Sequence, residues 1–155
     1  MTYEQYLELY IKALAFIVAA GTLLKGLVEY RKQGLTKRAE VFLQMRTRLR
    51  QDESFSKLCD LLEVDSPELQ DIPLVERDRF IGFFEELALM HNSGLINKQV
   101  TLYMFGYFAI RCYHSENFWT GLNKDQPLWS LFMDFAKEMD RAHNEFRYDK
   151  RQFCL

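Results

Sequence analysis

The sequence predicts an all-α protein, with a single N-terminal transmembrane helix followed by a cytosolic helical bundle. Three observations carry this. Strict apolar–polar alternation never persists beyond a few positions, while apolar residues recur at helical spacing through most of the chain. The three prolines all fall between periodic segments. One uninterrupted apolar run, "ALAFIVAAGTLL" at 13–24, stands near the N-terminus. At 155 residues, 48% hydrophobic and 15% aromatic, the chain can bury a substantial core and has room for one domain plus an appendage. The expected division is residues 1–33 as membrane anchor and stalk and residues 34–155 as cytosolic helical domain.

The first element is the span. The apolar run alone is too short to cross a bilayer, which takes roughly 20 residues. Extended to Leu9–Val28 it reaches that length and takes in Lys12 and Lys25 near its ends, where a lysine can snorkel to the headgroups. Tyr3, Tyr6, Tyr10 and Tyr30 bracket it as interface aromatics do. A cleaved signal peptide would carry positive charge ahead of the run; here Glu4 and Glu8 precede it and the cations follow. Arg31, Lys32, Lys37 and Arg38 therefore predict a single pass with the N-terminus outside, and the expected location is the inner (cytoplasmic) membrane. Ala15, Ala19, Thr22 and Gly26 put small residues on one face, a surface on which spans can associate. The competing reading of residues 9–28 is a core helix of a soluble domain.

Gly34 is expected to relax the junction, with Thr36 as N-cap of a helix reaching Gln51. Phe42, Met45 and Leu49 form its apolar face. A short helix over 53–63 follows, then a loop-like stretch, 64–73, in which Ser66 and Pro67 can open one helical turn. Pro73 suits the start of a helix to Ser93 that stops at Gly94, with Phe80, Phe84, Leu87 and His91 as its buried stripe. Asn97 caps a further helix, Lys98 to His114. After an irregular stretch, 115–126, Pro127 opens the last helix, whose stripe is Trp129, Phe132, Ala136, Met139 and His143.

The net charge of −2 conceals a segregation. Residues 30–51 hold seven Lys/Arg against one acid, a net of +6, and residues 52–90 hold three bases against eleven acids, a net of −8. Such a chain turns one part of itself toward something anionic. For Lys37 and Arg38 the simplest partner is anionic lipid, worth about 1 kcal/mol per charge. Arg46 and Arg50 could instead line an anionic ligand site or pair with the acidic block. Cys59, Cys112 and Cys154 are odd in number and far apart, which fits a reducing cytosol and neither a disulfide framework nor a thiolate metal site.

The search for catalysis is negative. No P-loop, dinucleotide fingerprint or zinc-protease helix is present, and only Asp140-x-x-His143 approaches a di-iron pattern. Glu85 and Glu86 are adjacent and diverge on a helix. The expectation is a protein that is not an enzyme, with no cofactor and no metal. Along the 98–114 helix, however, Tyr103, Tyr107, Arg111 and His114 follow intervals of four, four and three, one continuous face, and Asn117 and Trp119 lie just beyond it. Flat rings that stack, an arginine for phosphate and an amide or imidazole for a base edge are what an unpaired nucleotide requires. The same residues also read as the polar end of a core helix, the more ordinary reading on composition alone.

Two segments carry a resemblance. "EYRKQGLTKRAEVFLQMR" (29–46), directly after the span, and "FFEELALMHNSGLINKQVTLYMFGYFAIRCY" (83–113) together look familiar, and the second resembles a family of small bacterial membrane-anchored helical proteins of unknown function. The shared residues are mostly packing residues, so this bears on fold. Size and layout are also similar to the membrane effectors of type III CRISPR systems, which bind cyclic tetra-adenylate and act in antiviral defence as oligomers. No site residue carries over from that likeness. It implies a cyclic oligoadenylate ligand, the lipid bilayer and further copies of the chain as partners, in a homo-oligomer such as a tetramer, without DNA. On that reading Arg111 and His114 would meet phosphate or base, Tyr107 and Trp119 would stack, Asn117 would assist, and Arg46 and Arg50 are second choices. The alternative is a membrane-anchored protein–protein interaction module with no nucleotide.

Overall fold

The computed structural model describes residues 3–145, and every regular element among them is helical. The protein is all-α. It divides into two units, one up to Ala39 and one from Glu40 onward, a boundary somewhat later than the expected 33/34 junction.

The first unit consists of helix α1, Tyr3–Gln51, as far as Ala39. Its apolar side chains project on all sides: Leu14, Phe16, Ile17, Val18, Leu23, Leu24, Leu27 and Val28 are between 53% and 74% exposed. The segment Lys12–Gln51 contains a window of mean hydropathy 1.5, none of it buried, long and apolar enough to cross a membrane. Lys12 meets Glu8 at 2.6 Å one turn away. The Thr22 hydroxyl donates back to the carbonyls of Val18 and Ala19, at 2.8 and 2.9 Å, so it asks nothing of its surroundings. The expected helix start at Thr36 is absent. Its Oγ1 donates to the Lys32 carbonyl at 3.1 Å, an interior back-bond, and α1 passes through Gly34. One glycine costs a helix only about 1 kcal/mol, too little to end it.

In the second unit Phe42, Met45 and Leu49 are buried, as their spacing predicts. Helix α2, Glu53–Glu63, is capped by Asp52, whose Oδ1 accepts from the Ser54 and Phe55 amides at 3.0 and 3.3 Å. It ends with Asp65 at φ +47°. A 3-10 turn, Pro67–Asp71, is capped by Ser66. Helix α3, Leu74–Asn92, follows Pro73 and closes on Gly94, while Asn97 caps α4, Lys98–Thr101. The backbone stays helical through a π turn, Leu102–Gly106, into α5, Tyr107–His114. Ser115 then caps a four-residue α6, Glu116–Trp119, inside the stretch expected to be irregular. A 3-10 turn at Pro127–Trp129 leads into α7, Ser130–Asn144.

The core of this unit is phenylalanine. Phe55, Phe80, Phe83, Phe84, Phe105, Phe118 and Phe132 are fully buried. Their rings meet edge to face, Phe55 on Phe80 at 5.3 Å and Phe80 on Phe84 at 5.1 Å, an arrangement worth about 0.5–1.5 kcal/mol per pair beyond area burial. Helix α7 packs on both α3 and α5, and α2 packs on α5. The α5–α7 pairing positions the candidate site.

Candidate functional site

On α5, Tyr107 and Arg111 are one turn apart and point the same way. The Arg111 guanidinium carbon lies 5.4 Å from the Tyr107 ring centroid, and Nε donates to the phenol oxygen at 3.3 Å. No carboxylate lies within ion-pair distance of Arg111 among the described residues. His114, one turn further, places Nε2 3.2 Å from Oδ2 of Asp140 on α7. Tyr107, Ile110, Arg111, His114 and His143 enclose a cleft of about 310 Å³. Three of the expected ligand residues, Tyr107, Arg111 and His114, therefore converge.

The other four do not join them as expected. Trp119 was expected to stack a base but is 7% exposed. Its indole Nε1 donates to the Cys112 carbonyl at 2.9 Å, and its ring packs against Phe118, Trp129 and Phe132. Ser115 Oγ accepts from the Phe118 amide at 2.9 Å, and the short α6 this begins turns Phe118 and Trp119 inward. Asn117 is spent on the fold: Nδ2 donates to the Asp65 carbonyl at 2.7 Å, and Oδ1 accepts from Gln70 Nε2 at 2.6 Å. Arg46 and Arg50 lie on the last turns of α1 and line no part of this cleft. The arginine that does meet the acidic block is Arg48, 2.7 Å from Glu86 and stacked over Phe55 and Phe83 at 5.6 Å from each centroid. Tyr103 also stands outside the cleft, because the wider π turn between it and Tyr107 sets back the expected register.

Two cleft residues were not anticipated as ligand groups. His143 was assigned to the buried stripe of α7 but is exposed and lines the cleft. Lys124, in the turn after α6, sits with Nζ 4.1 Å from the Tyr113 ring centroid and donates to the Tyr113 carbonyl. Burial draws its pKa below the ordinary lysine value, opposed by the nearby Cys112 and Asp125 and assisted by Lys137. It belongs to a second cleft of about 500 Å³, which shares His114 with the first.

Chemically, the arrangement offers an arginine fork over a tyrosine face, an imidazole oriented by a carboxylate, and a lysine seated on aromatic rings. These are groups that bind an anion beside a flat ring. Comparison with protein families, with curated proteins and with solved structures finds no match to this chain.

Proposed function

We propose that this protein is a membrane-anchored sensor whose helical domain binds a nucleotide-class ligand at the Tyr107–Arg111–His114 cleft. The observation that carries the reading is the Arg111 fork, held by Tyr107 and lacking a carboxylate partner among the described residues. A guanidinium fixed this way meets phosphate bidentately, and the aromatic beside it offers a face to a base.

The ligand we propose is a cyclic oligoadenylate, cyclic tetra-adenylate in the first place, and the setting is antiviral defence beside a type III CRISPR system. The cleft of about 310 Å³ is at the small end of ligand sites, suited to part of a ring and not the whole. A symmetric homo-oligomer would present repeated copies to a repeated ligand. Ligand binding can then act on α1 only by favouring one assembly over another. The apolar surface of α1, exposed on all sides, supports insertion in the bilayer, since a helix apolar all round is stable either in a core or in a membrane. The cations after the apolar run support a cytosolic location for the domain.

The test is calorimetric titration of the full chain in detergent with cyclic tri-, tetra- and hexa-adenylate. The expected result is selective binding of one ring size, abolished in Arg111→Ala with the helical circular dichroism retained. Silence toward all three removes the nucleotide reading and leaves a membrane-anchored protein–protein interaction module.

A further inference from the structure

Lys124 and Arg111 are alike in one respect. Each is a cation seated on aromatic rings, with no carboxylate in ion-pair reach among the described residues. Lys124 Nζ lies over Tyr113 at 4.1 Å and within 5.8 Å of the Trp119 centroid, and it spends one N–H on the Tyr113 carbonyl. An ammonium has three N–H groups, so two remain for a ligand. The cleft that holds it, about 500 Å³, has Ser115 and Thr120 on its wall and Trp119 beneath. Trp119 thus contributes as a floor under the cation, although it cannot stack a base. His114 lines both clefts and is their common wall.

We infer that the two clefts form one composite site, in which Arg111 and Lys124 hold successive phosphates of an oligonucleotide across His114. This rests on the nucleotide reading above and narrows it: the ligand recognised by one chain is at least two linked nucleotides, not a mononucleotide. Three acidic groups stand nearby, and Asp125, next in sequence to Lys124, already offsets part of its charge. Asp140 is engaged by His114, and Glu116 is exposed at the rim of the second cleft. Phosphate arriving beside a partly desolvated ammonium adds to the counter-charge that Asp125 supplies.

The test uses two probes on the full chain in detergent, adenosine 5′-monophosphate and linear 5′-phosphorylated diadenylate. The diadenylate is expected to bind at least about tenfold tighter, because each charge-assisted contact adds on the order of that factor. Lys124→Met should bring diadenylate affinity down to the mononucleotide level. It should also lower the slope of log affinity against log salt by about 0.7, one single-strand phosphate contact. Lys124→Arg, which keeps the charge, should retain most of the affinity and guards against a folding defect. Arg111→Ala should abolish both probes. If Lys124→Met binds diadenylate as the parent does while Arg111→Ala binds neither, the composite site is wrong and the Arg111 cleft stands. If the parent binds neither probe nor any cyclic oligoadenylate, both readings are overturned.

Discussion

Arg77 Nη1 donates to the Phe118 carbonyl at 2.6 Å and to the Thr120 carbonyl at 2.8 Å, while Nε donates to the Ile72 carbonyl at 3.1 Å. A guanidinium only 3% exposed thus ties the start of α3 to the end of α6, with backbone carbonyls as its partners. Burial pulls its pKa down, yet arginine stays charged. Arg77→Met would strand three carbonyls and relieve one buried charge. The net loss should be about 2–3 kcal/mol, lowering the thermal midpoint by roughly 5–10 °C. Trp119 and Trp129 are both buried in this unit, so tryptophan fluorescence during melting measures it. A change under about 0.5 kcal/mol would mean that water serves those carbonyls equally well.

Gly94 has φ +70°, and the amides of Gly94 and Leu95 return to the carbonyls of His91 and Met90 at 3.0 and 2.9 Å. This is the Schellman closure of α3, which needs a left-handed residue. An added Cβ meets nothing within 4 Å, so the cost of Gly94→Ala is purely conformational, about 1–2 kcal/mol. Gly94→Asn should lose less, because asparagine tolerates that region. Equal losses in urea titrations of the two variants would point to a cause other than backbone conformation.

Gly94, Asn97, Ser66 and Pro73 were legible in the sequence because caps and stops are local events, decided within a few residues. The fold class and the apolar stripes were legible for the same reason. Gly34 misled because a weak propensity was taken for a break. The fate of Asn117 depended on Asp65 and Gln70, and that of Trp119 on Trp129 and Phe132, partners that no local pattern names. Lys124 was invisible by the same logic: Tyr113 and Trp119 make its seat, and only the turn after α6 brings it there. The face of α5 survived in part, since Tyr107, Arg111 and His114 lie beyond the π turn that displaced Tyr103.

Cys59 and Cys112 are buried thiols. Burial, and then the charge of Asp60, pushes Cys59 up to about 12, and burial raises Cys112 well above the ordinary value despite Lys124 nearby. The unfolded thiols ionise near pH 8.5. Below that their contribution is fully present; it is lost as pH rises toward the folded values, at about 1.4 kcal/mol per pH unit for each thiol. Urea midpoints between pH 8 and 11 should therefore fall more steeply for the parent than for a Cys59→Ala, Cys112→Ala chain. Parallel slopes would show that water reaches both sulfurs.

Glu138 on α7 accepts from Lys98 Nζ at 2.6 Å and lies 3.5 Å from His91 Nε2. The Lys98 hydrogen bond holds its pKa below the ordinary carboxylate value, partly offset by burial and aided by His91. A lowered carboxylate stabilises the fold above the unfolded pKa of roughly 4.3, and that contribution is lost as pH falls through the folded value. The parent should exceed Glu138→Gln in stability at pH 6, and the difference should shrink as pH falls below the unfolded carboxylate value and vanish below the folded one. A difference that persists there would assign the effect to hydrogen-bond geometry and not to charge.

Val18 is 61% exposed near the middle of the apolar run. Val18→Arg should therefore leave the second unit's stability untouched. If the run lies in a bilayer, an arginine at its centre costs about 2.5–3.5 kcal/mol of insertion free energy. The parent chain should then resist carbonate extraction from membranes, and Val18→Arg should release a substantial fraction, while both melt alike by tryptophan fluorescence. The two measurements divide the possibilities cleanly. Release of the parent by carbonate would mean that a protein surface covers this helix, and the search would turn to the partner whose apolar groove it fills.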